Sequence, residues 1–445
     1  MGPIGASHPA TSRSGGSLFA MFPAVNVQRA VRVVEPVRVL IWTFLLFGLG
    51  LVVAPVVPDI NVTFGAVVFW VAVVVSSLAG VAAAAPHRLV VSGWTQVARS
   101  FPAAQLAARC IGLGLVGVIL SVIDRYVVRG APLSWDFFEA RDVVADAGSG
   151  LISIVAAAAS SFAAFGLIAA WLARALGQPI SGSTEALAIV SLMTYVFLSI
   201  SLGSRSLMLV CVLIHVLAAA FFRILRVGAV GWRTIVVVIG SLLAIVGASV
   251  WLLLERLDQM GLSPVASIEL SGYAYTLKPS AKIVDLLDGG SSFGNVGAAL
   301  YSLLLYVYHG LFEFWLLFDS YASPHLCGAQ TLWLPLKLFT VISGSNVQID
   351  ADALIGNRSG VYTTFVGPMF LDFGWFAPAF AFLFFLLLGY PFRRVVAGDL
   401  RWLPAAIQVT VIIVLGPVVS LMDSSVGTFL LLASVALPWL AKSRS

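Results

Sequence analysis

Three polar side chains share one face of an otherwise apolar segment in the second half of the chain. Tyr306, His309 and Glu313 occur in YVYHGLFEF, at spacings that place all three on the same side of a helix. A histidine or a carboxylate is the usual general base for a hydroxyl group. His309 and Glu313 are therefore the candidate catalytic residues, with Tyr306 beside them as a binding residue. The alternative is an interfacial helix with an aromatic belt and a snorkelling histidine.

Arginines form the second set of candidate functional residues. Arg205 lies in GSRS and Arg358 in GNRSG, two turns of small residues that let a phosphate group approach closely, whereas Arg125 and Arg129 lie in DRYVVRG. A planar guanidinium group holds phosphate oxygens bidentately without a metal. These four arginines are candidate phosphate ligands. For Arg125 the alternative is a solvated ionic cluster with Asp124, and for Arg129 it is a purely structural role.

A third candidate is Tyr362 in GVYTTFVGP, which predicts a turn leading into an apolar segment. Its hydroxyl group would contact a ligand or satisfy backbone groups. The sequence has no Walker loop, no HExxH pattern, and no ligand-like spacing of Cys110, Cys211 and Cys327. We expect no metal site, no cofactor, no disulfide framework and no direct use of ATP or a nucleotide sugar.

The elements that position these residues follow from the composition. Of the 445 residues 60% are hydrophobic and only 10% are charged, and the mean hydropathy is +1.02. Soluble domains carry about 25% charged residues. The sequence therefore predicts an all-α polytopic integral membrane protein. It disfavours a nucleic-acid-binding protein, despite a pI near 9.2.

Ten apolar windows are long enough to cross roughly 30 Å of hydrocarbon. They fall near 38–57, 64–85, 108–124, 150–172, 186–203, 206–223, 234–254, 371–392, 402–420 and 426–441. An eleventh stretch, 297–318, is interrupted by polar residues, and we expect an interfacial or re-entrant helix there. The alternative is a hairpin whose second crossing lies near 331–343.

The positions of the basic residues predict the orientation. Sixteen of the 25 Lys and Arg residues fall on one side of the ten spans, and positive residues are retained in the cytoplasm. Both termini are then cytoplasmic. The chain divides into a cytoplasmic tail (1–37), a seven-helix membrane region (38–254) with an exoplasmic loop at 124–148, a large periplasmic loop with the interfacial helix (255–370), and three C-terminal membrane helices (371–445).

The order of these motifs resembles a known family. DRYVVRG followed by Arg141, then GSRS, YVYHGLFEF and GVYTTFVGPMFLDFGWFAP running into LLLGYPFRR are similar to the Wzy-type O-antigen polymerases, which join oligosaccharide repeat units. The resemblance covers about residues 115–395 and adds Arg141 to the candidate ligands. It implies a GT-C-like glycosyltransferase of the bacterial inner membrane with its active site facing the periplasm.

The resemblance also implies the substrates and partners. The donor and acceptor are undecaprenyl-pyrophosphate-linked glycans in the membrane lipid, and a chain-length-regulating copolymerase is a further partner; nucleic acid is not. The arginines would receive the pyrophosphate, while His309 or a nearby carboxylate would take the proton. The alternatives are an O-antigen ligase and, from a different class, a flippase or transporter. Transporters place ionisable residues at mid-membrane depth, where His215 is the clearest example in this chain.

Overall fold

The computed structural model describes residues 24–85, 101–132, 137–146, 150–201, 206–228, 232–271, 275–280, 283–284, 287, 292–343 and 363–441. These residues fold mainly into helices. In chain order the helices are α1 Ala24–Val31, α2 Pro36–Val53, α3 Phe64–Ala84, α4 Ala103–Val122, α5 Phe137–Asp146, α6 Leu151–Ser160, α7 Ala163–Ala175, α8 Gly182–Ile200, α9 Ser206–Val227, α10 Trp232–Gln259, α11 Pro264–Leu270, α12 Ser292–Ser320, α13 Trp333–Ser343, α14 Val366–Phe373, α15 Ala377–Leu388, α16 Tyr390–Val396, α17 Leu403–Leu415 and α18 Ser425–Leu440.

Shorter elements continue or connect these helices. A π-helix, Ile123–Val128, extends α4, and 3₁₀ turns occupy Arg32–Val34, Gly374–Phe376 and Leu400–Trp402. Strand β1, Val56–Pro58, pairs antiparallel with β2, Leu277–Pro279, with Val57 opposite Lys278. This small sheet ties the α2–α3 connection to the segment that precedes α12.

Within the described residues, eight helical segments are long and apolar enough to cross a membrane. They are Pro36–Val53, Phe64–Ala84, Ala103–Val128, Leu151–Ala175, Gly182–Ile200, Ser206–Val227, Gly294–Ser320 and Val366–Val396. Two shorter apolar helical segments, Leu400–Leu415 and Ser425–Leu440, and the 28-residue α10 coincide with three further predicted windows. The chain is thus an all-α protein with several helices able to span a bilayer, as the sequence predicted.

Small residues let the helices of this bundle approach closely. A Cβ atom at Gly117 would lie 1.9 Å from the backbone nitrogen of Ser160, and one at Gly114 would lie 2.8 Å from Ala163. Both contacts join α4 to the break between α6 and α7. Close backbone approach through glycine is the usual way in which apolar helices pack in a membrane. Lipid tails are as apolar as the helices, so the hydrophobic effect does not drive the helices together and close packing does.

The two ends of the bundle differ in chemistry. At one end, which we call the basic end, Arg174 pairs with Glu185 at 2.7 Å, and Asp399 accepts hydrogen bonds from Arg394 and Arg401 at 2.7–2.9 Å. Burial opposes the ionisation of Asp399, but the hydrogen bonds from the two arginines outweigh it and lower the pKa of this carboxyl. The basic end coincides with the predicted cytoplasmic side.

Helix α12 crosses the opposite end of the bundle. The Tyr301 hydroxyl donates to the Pro55 carbonyl oxygen at 3.2 Å, and the Thr63 hydroxyl donates to Asp319 at 2.7 Å. Between these points Gly310 contacts the backbone of Thr364, whose N–H donates to the Gly310 carbonyl oxygen at 3.2 Å. Tyr301, about a third of the way along α12, and Asp319, near its C-terminal end, therefore both contact the α2–α3 connection, and Gly310 between them contacts the residues just before α14.

The structure differs from the sequence analysis in how α12 is built. The segment predicted at 297–318 is one uninterrupted helix, Ser292–Ser320, and by length and composition it qualifies as a span. Its polar residues do not interrupt it, because they face the protein interior. Helix α13 covers the described part of the predicted hairpin alternative near 331–343, and the residues that follow it, 344–362, lie outside the described residues.

Candidate functional site

A cavity of about 360 Å³ opens among α4, α6, α8 and α18 at the end of the bundle that α12 crosses. Its lining combines two arginines, one aspartate and several hydroxyl-bearing side chains. The polar residues are Ser121, Asp124, Arg125, Arg129, Ser153, Ser160, Ser161, Tyr195, Ser199 and Ser425. Two of the sequence-predicted ligands, Arg125 and Arg129, thus lie in one cavity.

The π-helix determines which arginine pairs with the aspartate. The Arg129 N–H donates to the Asp124 carbonyl oxygen at 2.9 Å, the i to i+5 hydrogen bond of a π-turn. This wider turn brings the two side chains together, and Arg129 Nε lies 3.1 Å from Asp124 Oδ2. In a regular α-helix, residues five apart point about 140° away from each other. Single π-turns of this kind often occur at functional sites.

The Asp124–Arg129 pair is fixed by further hydrogen bonds. The Ser153 hydroxyl donates to Asp124 Oδ1 at 2.9 Å, Arg129 Nη1 donates to the Val144 carbonyl oxygen at 3.0 Å, and Arg129 Nη2 donates to Ser153 Oγ. Both side chains are only 11–12% exposed. The alternative of a solvated ionic cluster is therefore wrong for Asp124, whose ion-pair partner is Arg129 and not its neighbour Arg125.

Arg125 has a different environment from Arg129. Its Nη1 atom donates to the Ser201 hydroxyl oxygen at 2.7 Å and to the Leu198 carbonyl oxygen, and its guanidinium lies 6.0 Å from the ring centroid of Tyr126. None of these contacts neutralises its charge. With Asp124 paired to Arg129, the cavity carries one positive charge in excess among its lining residues.

The other predicted ligands do not line the described cavity. Three of them, Arg205, Arg358 and Tyr362, lie outside the described residues. Arg141 lies on the described helix α5, which also contributes Val144 to the cavity lining, but its side chain is outside the description.

His309 is buried in the interior, with 0% of its surface exposed. Its Nδ1 atom lies 2.8 Å from the Tyr306 carbonyl oxygen and 3.2 Å from that of Leu305. Since a carbonyl only accepts, Nδ1 carries the proton in these bonds, and Nε2 is the ring nitrogen able to accept one. The snorkelling alternative is wrong for this histidine, because it does not reach the surface.

Glu313 is buried one helical turn beyond His309, at 4% exposure. Its Oε1 atom accepts a hydrogen bond from the Thr276 hydroxyl at 2.9 Å. Thr276 directly precedes β2, so the small sheet holds this threonine against α12. The ring centroids of Tyr306 and His309 are 5.5 Å apart. Of the three polar residues predicted to share a face of α12, His309 and Glu313 are therefore buried, Tyr306 is partly buried, and Glu313 is held by the segment at β2.

The arginines and the polar residues of α12 occupy separate places at the same end of the bundle. Among the described residues, no residue of α12 lines the cavity. The connection between α17 and α18 links the two places: the Val418 carbonyl oxygen contacts Gly310 on α12, and Ser425 and Val426, at the start of α18, line the cavity.

Two carboxylates near this connection were not assigned to the site from sequence. Asp372 lies near the end of α14, because this helix begins at Val366 and ends at Phe373. Its two oxygens accept from the N–H groups of Gln330 and Thr331 at 2.8 and 2.6 Å, which fixes the turn before α13. Burial raises the pKa of Asp423 to about 7, against hydrogen bonds that lower it, and nearby Asp372 adds to the rise.

The hydroxyl-bearing residues of the cavity were not predicted from the sequence. Ser160 and Ser161 lie side by side within the apolar run 150–172, at the break between α6 and α7. Paired serines inside a predicted span were a usable signal. In the described residues no group of three His, Cys, Asp or Glu side chains is placed to hold a metal ion. No protein-family model, curated protein or solved structure matches this chain.

Proposed function

We propose that this protein is a membrane glycosyltransferase that joins polyprenyl-pyrophosphate-linked oligosaccharide repeat units on the exoplasmic face of a bacterial inner membrane. The proposal rests on the motif resemblance to the Wzy-type polymerases together with one structural observation. That observation is the cavity that carries Arg125 and Arg129 among hydroxyl groups at the end of the bundle opposite the basic end.

The chemistry of the proposed reaction matches this cavity. The bond between the donor's anomeric carbon and a phosphate oxygen breaks, and a glycosidic bond to the acceptor hydroxyl forms. The acceptor proton goes to a base, and the polyprenyl pyrophosphate leaves with added negative charge. Preorganised guanidinium groups stabilise such a developing charge most effectively where water is excluded. Arg125, whose hydrogen bonds in the described structure go to neutral groups, is the better placed of the two for this task.

The proposed base is His309, on the helix that crosses the same bundle end. Its Nδ1 proton is held by backbone carbonyls, which leaves Nε2 as the basic nitrogen. Glu313 lies on the same helical face. Because His309 is fully buried and no described residue of α12 lines the cavity, this assignment requires a rearrangement that brings the acceptor hydroxyl within hydrogen-bond reach of Nε2.

A deletion strain tests the proposal. A polymerase mutant is expected to make lipid A core carrying a single repeat unit, seen as one band on a lipopolysaccharide gel, and a plasmid copy should restore the ladder. Complete absence of any attached repeat would instead favour an O-antigen ligase or a flippase.

A further inference from the structure

The hydroxyl groups on the inner side of the cavity share one property. Ser121 Oγ donates to the Gly117 carbonyl oxygen at 2.8 Å, and Ser160 Oγ and Ser161 Oγ both donate to the Ala157 carbonyl oxygen, at 3.2 and 2.8 Å. Each serine proton is thus used within its own helix. Since a hydroxyl group has one proton and two lone pairs, these oxygens can only accept from a ligand.

Tyr195 extends the same pattern to a neighbouring helix. Its hydroxyl oxygen lies 3.2 Å from Ser161 Oγ. Because Ser161 already donates to the Ala157 carbonyl oxygen, Tyr195 is the donor in this contact, and its own oxygen keeps free lone pairs. Four hydroxyl oxygens, from Ser121, Ser160, Ser161 and Tyr195, therefore form what we call the acceptor floor of the cavity.

A ligand of this cavity must complement two parts of the lining that differ in chemistry. The acceptor floor binds a group with several hydrogen-bond donors, whereas Arg125 and Arg129 bind a hydrogen-bond acceptor or an anion. A cationic amine would satisfy the floor, but the excess positive charge beside it would repel such a ligand. A neutral ring with several hydroxyl groups, joined to a phosphate, meets both requirements. A volume of about 360 Å³ lies within the usual range of ligand pockets, roughly 300–1,000 Å³.

We infer that the cavity seats one sugar ring of the glycan, with the ring hydroxyls donating to the acceptor floor and the phosphate linkage facing Arg125. This inference rests on the proposed function and adds to it a subsite that selects a polyhydroxylated ring. Tyr195 and Ser161 are the specificity-determining residues, because their contact joins α8 to α6–α7 across the floor.

The test measures binding directly, without the transfer reaction. The full chain in lipid nanodiscs is titrated with methyl glycosides of common hexoses and N-acetylhexosamines, and binding is followed by saturation-transfer NMR. At least one glycoside should bind. The double variant Ser161→Ala/Tyr195→Phe removes two acceptor oxygens, so affinity should fall roughly thirtyfold, which corresponds to about 1 kcal/mol for each hydrogen bond.

A matched control lies next to Tyr195 on the same helix. Thr194 also bonds within its own helix, donating to the Val190 carbonyl oxygen at 2.9 Å, but it does not line the cavity. Thr194→Val should bind like the wild type. Equal binding by the double variant and the wild type, or no binding of any glycoside, would overturn the inference.

The proposed function can fail separately from this subsite. If glycoside binding depends on Tyr195 and Ser161 but a deletion strain still makes a normal glycan ladder, the sugar subsite is supported and the polymerase function is contradicted. Normal ladders made by the double variant would reject the subsite and keep the polymerase.

Discussion

Tyr301 and Asp319 lie about 27 Å apart along helix α12, yet both bond to the single connection between α2 and α3. A helix that ran through the bilayer parallel to α2 would contact this connection only within a few turns of one of its ends. The contacts of α12 with these helices instead fall at Phe47 and Gly50 of α2 and at Gly65 and Phe69 of α3, the halves nearest the connection. We therefore expect α12 to stay on one side of the membrane.

Cys327 makes this arrangement testable, because it is exposed and follows α12, whereas Cys110 and Cys211 are buried. A membrane-impermeant maleimide should label Cys327 in intact spheroplasts, and Cys327→Ser should abolish the labelling. As the control for the basic end, Gln28→Cys in the Cys327→Ser background should react only after lysis. Labelling of both positions from the same side would show that α12 crosses the membrane.

The ion pair in the cavity predicts a stability effect. Asp124→Ala removes the carboxylate that pairs with Arg129 and leaves a guanidinium at 11% exposure without its charge partner. Breaking a buried pair in this way costs about 3 kcal/mol. The thermal unfolding midpoint of the purified variant in detergent should fall clearly. Asp258→Ala, at an exposed acid near the end of α10, serves as the control, and an equal midpoint for both variants would contradict a buried pair at Asp124.

Arg205 remains a predicted phosphate ligand. Asp124 and Asp372 are examples of acids that a purely structural Arg205 would pair with, and they are engaged by Arg129 and by the Gln330 and Thr331 backbone. If Arg205 binds pyrophosphate through its planar fork, Arg205→Lys should lose most polymerisation at an unchanged protein level, as judged by glycan ladders and immunoblotting. Long chains at ordinary levels would remove Arg205 from the site.

Asp423 predicts a pH-dependent stability. An unfolded aspartate has a pKa near 3.9, whereas burial in the fold raises that of Asp423 to about 7. The folded protein therefore holds more protons between these values, and its stability falls as the pH rises from about 4 to about 7. Asp423→Asn should flatten this part of the profile of unfolding midpoint against pH. Parallel profiles for the variant and the wild type would assign the slope to another group.

That the chain contains several long apolar helices was predictable from sequence, because the length of an apolar run is a local property. The ion pair between Asp124 and Arg129 was not predictable from sequence. It depends on the π-turn at Ile123–Val128, which makes Arg129 the partner of Asp124 in place of the adjacent Arg125. The burial of His309 and Glu313 was not predictable either. It follows from Thr276 and Gly310, whose contacts come from distant segments that close over α12.

The most direct test of the central claim is transfer by the purified protein. The full chain in liposomes is supplied with a polyprenyl-pyrophosphate-linked repeat unit, and the products are separated by gel and mass spectrometry. The account predicts a ladder of lipid-linked oligomers and one released polyprenyl pyrophosphate per linkage, both strongly reduced in Arg125→Lys. Unchanged repeat units after prolonged incubation, or their movement across the liposome without linkage, would contradict it.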